Sequence, residues 1–69
     1  MKAKNWIVTV KYQTKGSVKY FECIIKGKKG ACKKAIDLLW ESNAGVGSLH
    51  ILDSWINWET DEIEGIVKN

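Results

Sequence analysis

The stretch Asn5–Lys26, NWIVTVKYQTKGSVKYFECIIK, decides the fold of this chain. Two runs rich in β-branched and aromatic residues flank Lys15-Gly16, which suits a two-residue hairpin loop. With that loop, one face carries apolar pairs: Val10 with Phe21, Val8 with Cys23, and Trp6 with Ile25. The other face pairs Lys11 with Tyr20, Thr9 with Glu22, and Ile7 with Ile24. Because a shift by one residue would scatter the apolar pairs over both faces, we predict an antiparallel hairpin in this register.

Residues 30–44 change to a helical period. Small and apolar side chains recur along one stripe of the predicted helix: Cys32, Ala35, Ile36, Leu39 and Trp40. Gly45 and Gly47 follow this segment and favour its end. We expect the helix to pack on the apolar face of the hairpin and form the core, with both cysteines as buried free thiols.

Residues 49–59 form a third β-rich run. Its even positions are the more apolar set, and we expect them to face the helix: His50, Leu52, Ser54, Ile56 and Trp58. Ile51 and Trp55 would then lie on the opposite face of the sheet, unless a bulge or break at Asp53-Ser54 changes the phase. We expect this strand to lie beside the first strand and antiparallel to it.

These elements predict a single small α+β domain over residues 1–69. Its sheet is three-stranded and mainly antiparallel, with chain order ββαβ, spatial order 2-1-3 and one helix on one face. The tail, residues 60–69, is expected to add a short C-terminal strand or a short helix capped by Thr60. Its apolar residues would cover the back of the sheet or leave that face open for a partner: Ile63, Ile66 and Val67.

Charge is divided unequally along the chain. Residues 1–34 hold ten lysines and one glutamate, a net +9, whereas residues 35–69 hold one lysine and seven carboxylates, a net −6. Such asymmetry predicts a charged partner, or two surfaces that attract each other within one chain or between copies. All basic residues are lysine, which is poorer than arginine at bidentate recognition of phosphates and base edges.

The segment between the second strand and the helix concentrates five lysines: Lys26, Lys28, Lys29, Lys33 and Lys34. A helix N-terminus is already positive, so these lysines act against the local electrostatics. With Gly27 and Gly30 beside free backbone N–H groups, they predict a binding site for a phosphate or a carboxylate cluster. In the alternative interpretation, the exposed lysines only keep a small protein soluble. The acidic stretch of residues 59–64 would weaken the anion site if it lay against these lysines.

Tyr20 and Trp55 are the aromatic residues predicted on the face away from the helix. Together with neighbouring aliphatic residues they form an apolar patch that the tail covers or that a partner contacts, with Tyr20 and Trp55 as anchors. Lys15 and the other hairpin lysines add a basic surface that favours nucleic acid if bases stack on Tyr20.

The sequence contains no recognisable catalytic or metal-binding motif. One histidine and two cysteines do not make a zinc pattern, and we expect no catalytic residues, no metal site, no cofactor and no enzymatic activity. No apolar run reaches the roughly 20 residues of a membrane-spanning helix, and Met1–Asn5 leads straight into a strand without a signal peptide. We therefore expect a cytoplasmic protein that does not bind membranes.

The leading hypothesis is a small binding protein that occupies a surface of a larger protein or nucleoprotein target. A phage or mobile-element inhibitor or regulator, acting in the host cytoplasm, fits the small size and the Lys-, Ile- and Asn-rich composition. The alternative is a sequence-nonspecific nucleic-acid-binding protein that uses the hairpin lysines and the helix N-terminus. A homodimer held by complementary charged halves is a third hypothesis.

Overall fold

The computed structural model describes residues 4–43 and 47–67. These residues form β1 (Asn5–Thr14), β2 (Ser17–Lys26), α1 (Ala31–Ser42), β3 (His50–Thr60) and β4 (Gly65–Ile66). The strands make one antiparallel sheet in the order β3-β1-β2-β4. We call the side on which α1 packs the helix face and the other side the back face. The α+β class and the 2-1-3 order are confirmed, but the sheet has four strands rather than three because the tail adds β4 beside β2.

The β1–β2 hairpin has the predicted register along its whole length, from Asn5 opposite Lys26 to Thr14 opposite Ser17. Its loop residues both have positive φ, 50° at Lys15 and 79° at Gly16. Positive φ at both central positions defines a type I′ turn, whose twist matches that of the two strands. Lysine rarely adopts this conformation, because its Cβ then crowds the following carbonyl.

This turn generates a stability prediction. Lys15→Asn should raise the free energy of unfolding by about 0.5–1 kcal/mol, since asparagine tolerates the left-handed conformation better than lysine. Lys15→Gln removes the same charge without that tolerance and is the matched control. Urea unfolding of the three proteins measures the effect, and equal stability of the two variants would contradict it.

The core lies between α1 and the helix face of the hairpin. Its fully buried members come from the two strands and the helix: Val8, Val10, Cys23, Ile25, Ala31, Ala35 and Leu39. The predicted helical stripe is confirmed except at Trp40, which is 47% exposed. At the C-terminal end of α1, the Asn43 backbone N–H and side-chain Nδ2 both donate to the Leu39 carbonyl, at 3.1 and 2.9 Å. Gly45, the predicted stop signal, lies outside the described residues.

The predicted phase of β3 is only partly right, because β3 contains irregularities at two points. Ile56 and Ser54 lie opposite Val8 and Val10 on the helix face, as predicted, and Trp55 lies opposite Thr9 on the back face. Between Asp53 and Ile51 the pairing shifts by one residue, so Ile51 lies opposite Tyr12 and packs against the core. Ile51 therefore lies on the helix face and not on the back face, because a bulge changes the phase of the strand, at Leu52 rather than at the Asp53-Ser54 position named from the sequence.

Three of the β3 residues predicted to face the helix are exposed: His50, Leu52 and Trp58. Leu52 is the extra residue at the shift between Ile51 and Asp53, and Trp58 lies at the second shift, between the partners of Trp6 and Val8. A residue inserted into one strand of a pair is left without a partner and bends the strand locally. The two bulges therefore move these side chains away from the core.

The tail forms an edge strand instead of a cover for the back face. Ile66 lies opposite Cys23, which places it on the helix side, and Ile63 is 85% exposed. The Val67 N–H donates to the Glu22 carbonyl at 3.0 Å, which extends the pairing with β2 by one residue. Lys68 and Asn69 lie outside the described residues.

Both cysteines are free, and Cys23 is fully buried whereas Cys32 is half-buried. Desolvation, together with the nearby Glu22 and Cys32, raises the pKa of the Cys23 thiol from 9.0 to about 11. The fold therefore favours the neutral thiol over the thiolate. Below the unfolded pKa this preference is fully present, and it is lost as pH rises through the folded pKa.

The raised pKa of Cys23 predicts a specific loss of stability at high pH. Between about pH 8 and pH 11, the unfolded chain releases the Cys23 proton while the folded chain retains it, so the wild type should lose about 2 kcal/mol more than Cys23→Ala. Urea unfolding under reducing conditions gives both free energies, and Cys32→Ala is the control that should retain the loss. The same pH dependence in the wild type and Cys23→Ala would rule out this contribution.

Candidate functional site

The junction between β2 and α1 is built by two glycines. Gly27 and Gly30 have φ of 84° and 70°, a region that favours glycine, and they reverse the chain between strand and helix. The Gly27 N–H donates to the Lys4 carbonyl at 2.8 Å, and the Ala31 N–H donates to the Lys28 carbonyl at 3.2 Å. The helix then begins with no side-chain cap and no acidic residue in its first turn. Its N-terminal backbone donors therefore lack the usual side-chain acceptor.

The structure brings together the lysines that the sequence predicted at this junction. All of them are exposed, and we call them the junction cluster: Lys26, Lys28, Lys29, Lys33 and Lys34. The Lys28 Nζ lies 5.2 Å from the centroid of the Trp6 ring, within the range of a cation–π contact. This contact places one lysine of the cluster against the end of β1.

The acidic stretch of residues 59–64 includes the end of β3 and lies at the same end of the sheet. Glu59 forms an ion pair with Lys4 at 3.0 Å, the one ion pair within residues 4–43 and 47–67. The Asn5 Nδ2 donates to the Glu62 carbonyl at 2.6 Å, and the Lys26 N–H donates to the Glu64 carboxylate at 3.2 Å. Negative charge therefore borders the junction cluster, but it forms no ion pair with the described lysines of that cluster.

Lys15 does not belong to this site. It lies in the hairpin loop at the opposite end of β2, a ten-residue strand that spans about 30 Å. The structure thus separates the predicted basic residues into the junction cluster and a hairpin tip that carries Lys15 and Lys19, both exposed.

Tyr20 and Trp55 meet on the back face, as predicted. Their ring centroids are 6.4 Å apart with an interplanar angle of 67°, an edge-to-face arrangement. Tyr20 is 58% exposed, whereas Trp55 is half-buried and its Nε1–H donates to the Asn57 side chain at 3.0 Å. Asn57 in turn donates to the Thr9 hydroxyl at 2.8 Å. Trp55 is therefore part of the framework that joins β3 to β1, and Tyr20 presents the more accessible ring.

The different environments of these rings predict different effects on stability. Trp55→Ala should lower the free energy of unfolding by about 2 kcal/mol, because it removes a half-buried ring and an anchored hydrogen bond. Tyr20→Ala should cost less than about 1 kcal/mol. Trp55→Phe retains a ring but loses the indole N–H, so its loss in free energy of unfolding should lie between the losses of Tyr20→Ala and Trp55→Ala. Chemical denaturation checks the order, and a Trp55→Ala variant as stable as the wild type would contradict the framework role.

An apolar cleft of about 550 Å³, which was not predicted from the sequence, lies between α1 and β4. Ile25, Leu38 and Ile66 provide its apolar lining, and charged residues of both signs complete it: Lys34, Asp37, Glu41 and Glu64. The signal in the sequence was Leu38 itself, an apolar residue that lies outside the predicted helical stripe and is half-buried in the structure. Because the cleft depends on β4 lying beside β2, it does not follow from helical periodicity alone.

The described residues show no grouping of three or more histidine, cysteine, aspartate or glutamate side chains that could hold a metal ion. Over the same residues, no helix has the length and apolar character needed to cross a membrane. Comparisons with protein-family models, with curated proteins and with solved structures found no match to this chain. Function therefore has to be inferred from the chemistry of the surfaces.

Proposed function

We propose that this protein is a small, non-enzymatic binding protein that occupies an acidic surface of a larger protein or nucleoprotein. The observation that carries the proposal is the junction cluster, five exposed lysines around an uncapped helix N-terminus. Lysine in the first turn of a helix is locally unfavourable, and departures from local preferences tend to occur where function requires them. An acidic partner would turn this unfavourable arrangement into a set of intermolecular ion pairs.

Electrostatic contacts of this kind favour rapid and oriented association more than tight binding. Affinity requires apolar contacts in addition, and Tyr20 on the back face is an accessible aromatic residue of the type that dominates interfaces. The Lys-, Ile- and Asn-rich composition favours a phage or mobile element as the source, with the protein acting as an inhibitor in the host cytoplasm.

Reversal of charge in the junction cluster tests the proposal. A triple variant with glutamate at Lys28, Lys29 and Lys33 should lose the partner, whereas the corresponding triple arginine variant should retain it. Because these side chains are exposed, both variants should unfold within about 1 kcal/mol of the wild type. Affinity purification of the tagged proteins from host lysate, with and without nuclease, measures partner recovery. Recovery of the same nuclease-resistant partner by the glutamate variant would contradict the proposal.

Nucleic acid is the second candidate target, and the glycine-flanked helix start with its lysines is the observation that favours it. Five lysine–phosphate contacts to a single strand would give a slope of about −3.5 in log K against log salt concentration. The all-lysine composition places this candidate second, because lysine is poorer than arginine at recognising phosphates and base edges. Recovery of only nuclease-sensitive material that is lost with salt would reverse the order.

A further inference from the structure

Residues 4–43 and 47–67 cover only part of the β2 edge of the sheet. β4 pairs with Cys23 and Ile24, and the Val67 N–H extends this pairing to the Glu22 carbonyl. Toward the hairpin loop, the described residues provide no strand beside Ser17–Phe21. An uncovered strand edge presents backbone donors and acceptors on which another extended segment can pair.

The direction of these backbone groups follows from the hydrogen bonds of β2. In an antiparallel pair, residues alternate between those bonded to the partner strand and those whose groups point away from it. The Glu22 carbonyl points away from β1, because it accepts from Val67. The β1–β2 register has no shift, so Tyr20 and Val18 share this orientation. Their N–H and C=O groups therefore point outward along the uncovered part of the edge.

The side chains around this edge differ between the two faces of the sheet. On the back face, Val18 and Tyr20 are 51% and 58% exposed. On the helix face, Lys19 lies between Val18 and Tyr20 in the sequence, and Lys15 lies in the loop just before β2; both lysines are exposed. A strand added here would therefore meet the apolar Val18 and Tyr20 on the back face. It would meet the positive charge of Lys19 on the helix face and that of Lys15 beside the hairpin loop.

We propose that residues Ser17–Phe21 of β2 bind an extended acidic peptide segment of a partner by strand addition. The segment would alternate apolar residues, against Val18 and Tyr20, with carboxylates, near Lys19 and Lys15. A second copy of the same strand paired about Lys19 fits less well, because that two-fold pairing would place two Lys19 side chains directly opposite each other. The inference rests on the proposed function in that the protein acts by binding, but it uses a different surface, centred on Lys19 and about 20 Å along β2 from Lys26 of the junction cluster.

Hydrogen exchange with a defined probe tests the inference. The probe is a capped heptapeptide that alternates glutamate and valine, with a lysine–valine peptide as its control. In the free protein, the Val18 and Tyr20 amides should exchange fast and the Lys19 and Phe21 amides, bonded to β1, slowly. The acidic peptide should slow exchange at Val18 and Tyr20, and the basic peptide should not. Slow exchange at both positions in the free monomer, or no change with the acidic peptide, would overturn the inference.

Two matched variants locate the contact. Val18→Pro removes one outward N–H without removing a bond to β1, and it should weaken binding of the acidic peptide about tenfold. Val18→Thr retains the N–H and should change binding less than about twofold. If Val18→Pro does not fold, Lys19→Glu serves in its place, and it should reverse the preference between the two peptides. Equal binding by the wild type and a folded Val18→Pro, or an unchanged peptide preference in Lys19→Glu, would overturn the inference.

Two further measurements separate this inference from its alternatives. Light scattering should give the mass of a monomer, and a larger mass that Val18→Pro abolishes would replace the peptide by a second copy as the occupant. The triple glutamate variant of the junction cluster should still bind the acidic peptide with at least half of the wild-type affinity. Loss of peptide binding in that variant would mean that the peptide binds the junction instead of the β2 edge.

Discussion

The register between β1 and β2 is the constraint on which the rest of the structure depends. It places Val8, Val10, Cys23 and Ile25 on one face, where α1 buries them. β3 then pairs with the free side of β1, and β4 pairs with the free side of β2. A shift by one residue would move the apolar set to the back face, and the helix would lose its packing surface. The type I′ turn at Lys15-Gly16 prevents that shift, because its two-residue length determines which residues face each other.

The parts of the fold that were predictable from the sequence are those with a local periodic signal. The hairpin alternates over two complete strands, and α1 carries an apolar stripe at helical spacing, so both followed from side-chain pattern alone. β3 did not, because adjacent apolar residues at Ile51 and Leu52 leave the two-residue period ambiguous, and the bulge there is decided by pairing with β1. β4 has only two residues, too few for any alternation to show, and it depends on the chain crossing the end of the sheet.

The candidate site likewise has one part that was predictable from the sequence and another part that only the structure shows. The junction cluster was predictable because its lysines are close together in the sequence around Gly27 and Gly30. A short connection between a strand and a helix keeps such residues close together in space. The approach of Glu59 to Lys4 and of Glu64 to Lys26 joins residues far apart in sequence, so only the structure shows it. The role of Trp55 was hidden for a related reason. Its hydrogen bond to Asn57, and from Asn57 to Thr9, requires the pairing of β3 with β1 that the sequence left ambiguous.

The charge asymmetry of the sequence becomes a difference between the two ends of the sheet. At the junction end, lysines and the acidic segment lie side by side, so an approaching acidic surface meets attraction and repulsion at short range. At the hairpin tip, Lys15 and Lys19 border a stretch of β2 beside which the described residues place no strand, and in our proposal its backbone groups pair with an extended segment. Backbone pairing supplies affinity with little dependence on side-chain identity, whereas the lysines select for negative charge. A partner able to contact both ends must extend about 30 Å, and simultaneous contact would raise the overall affinity above that of either surface alone. Selectivity would then come from the spacing between two contacts on one sheet.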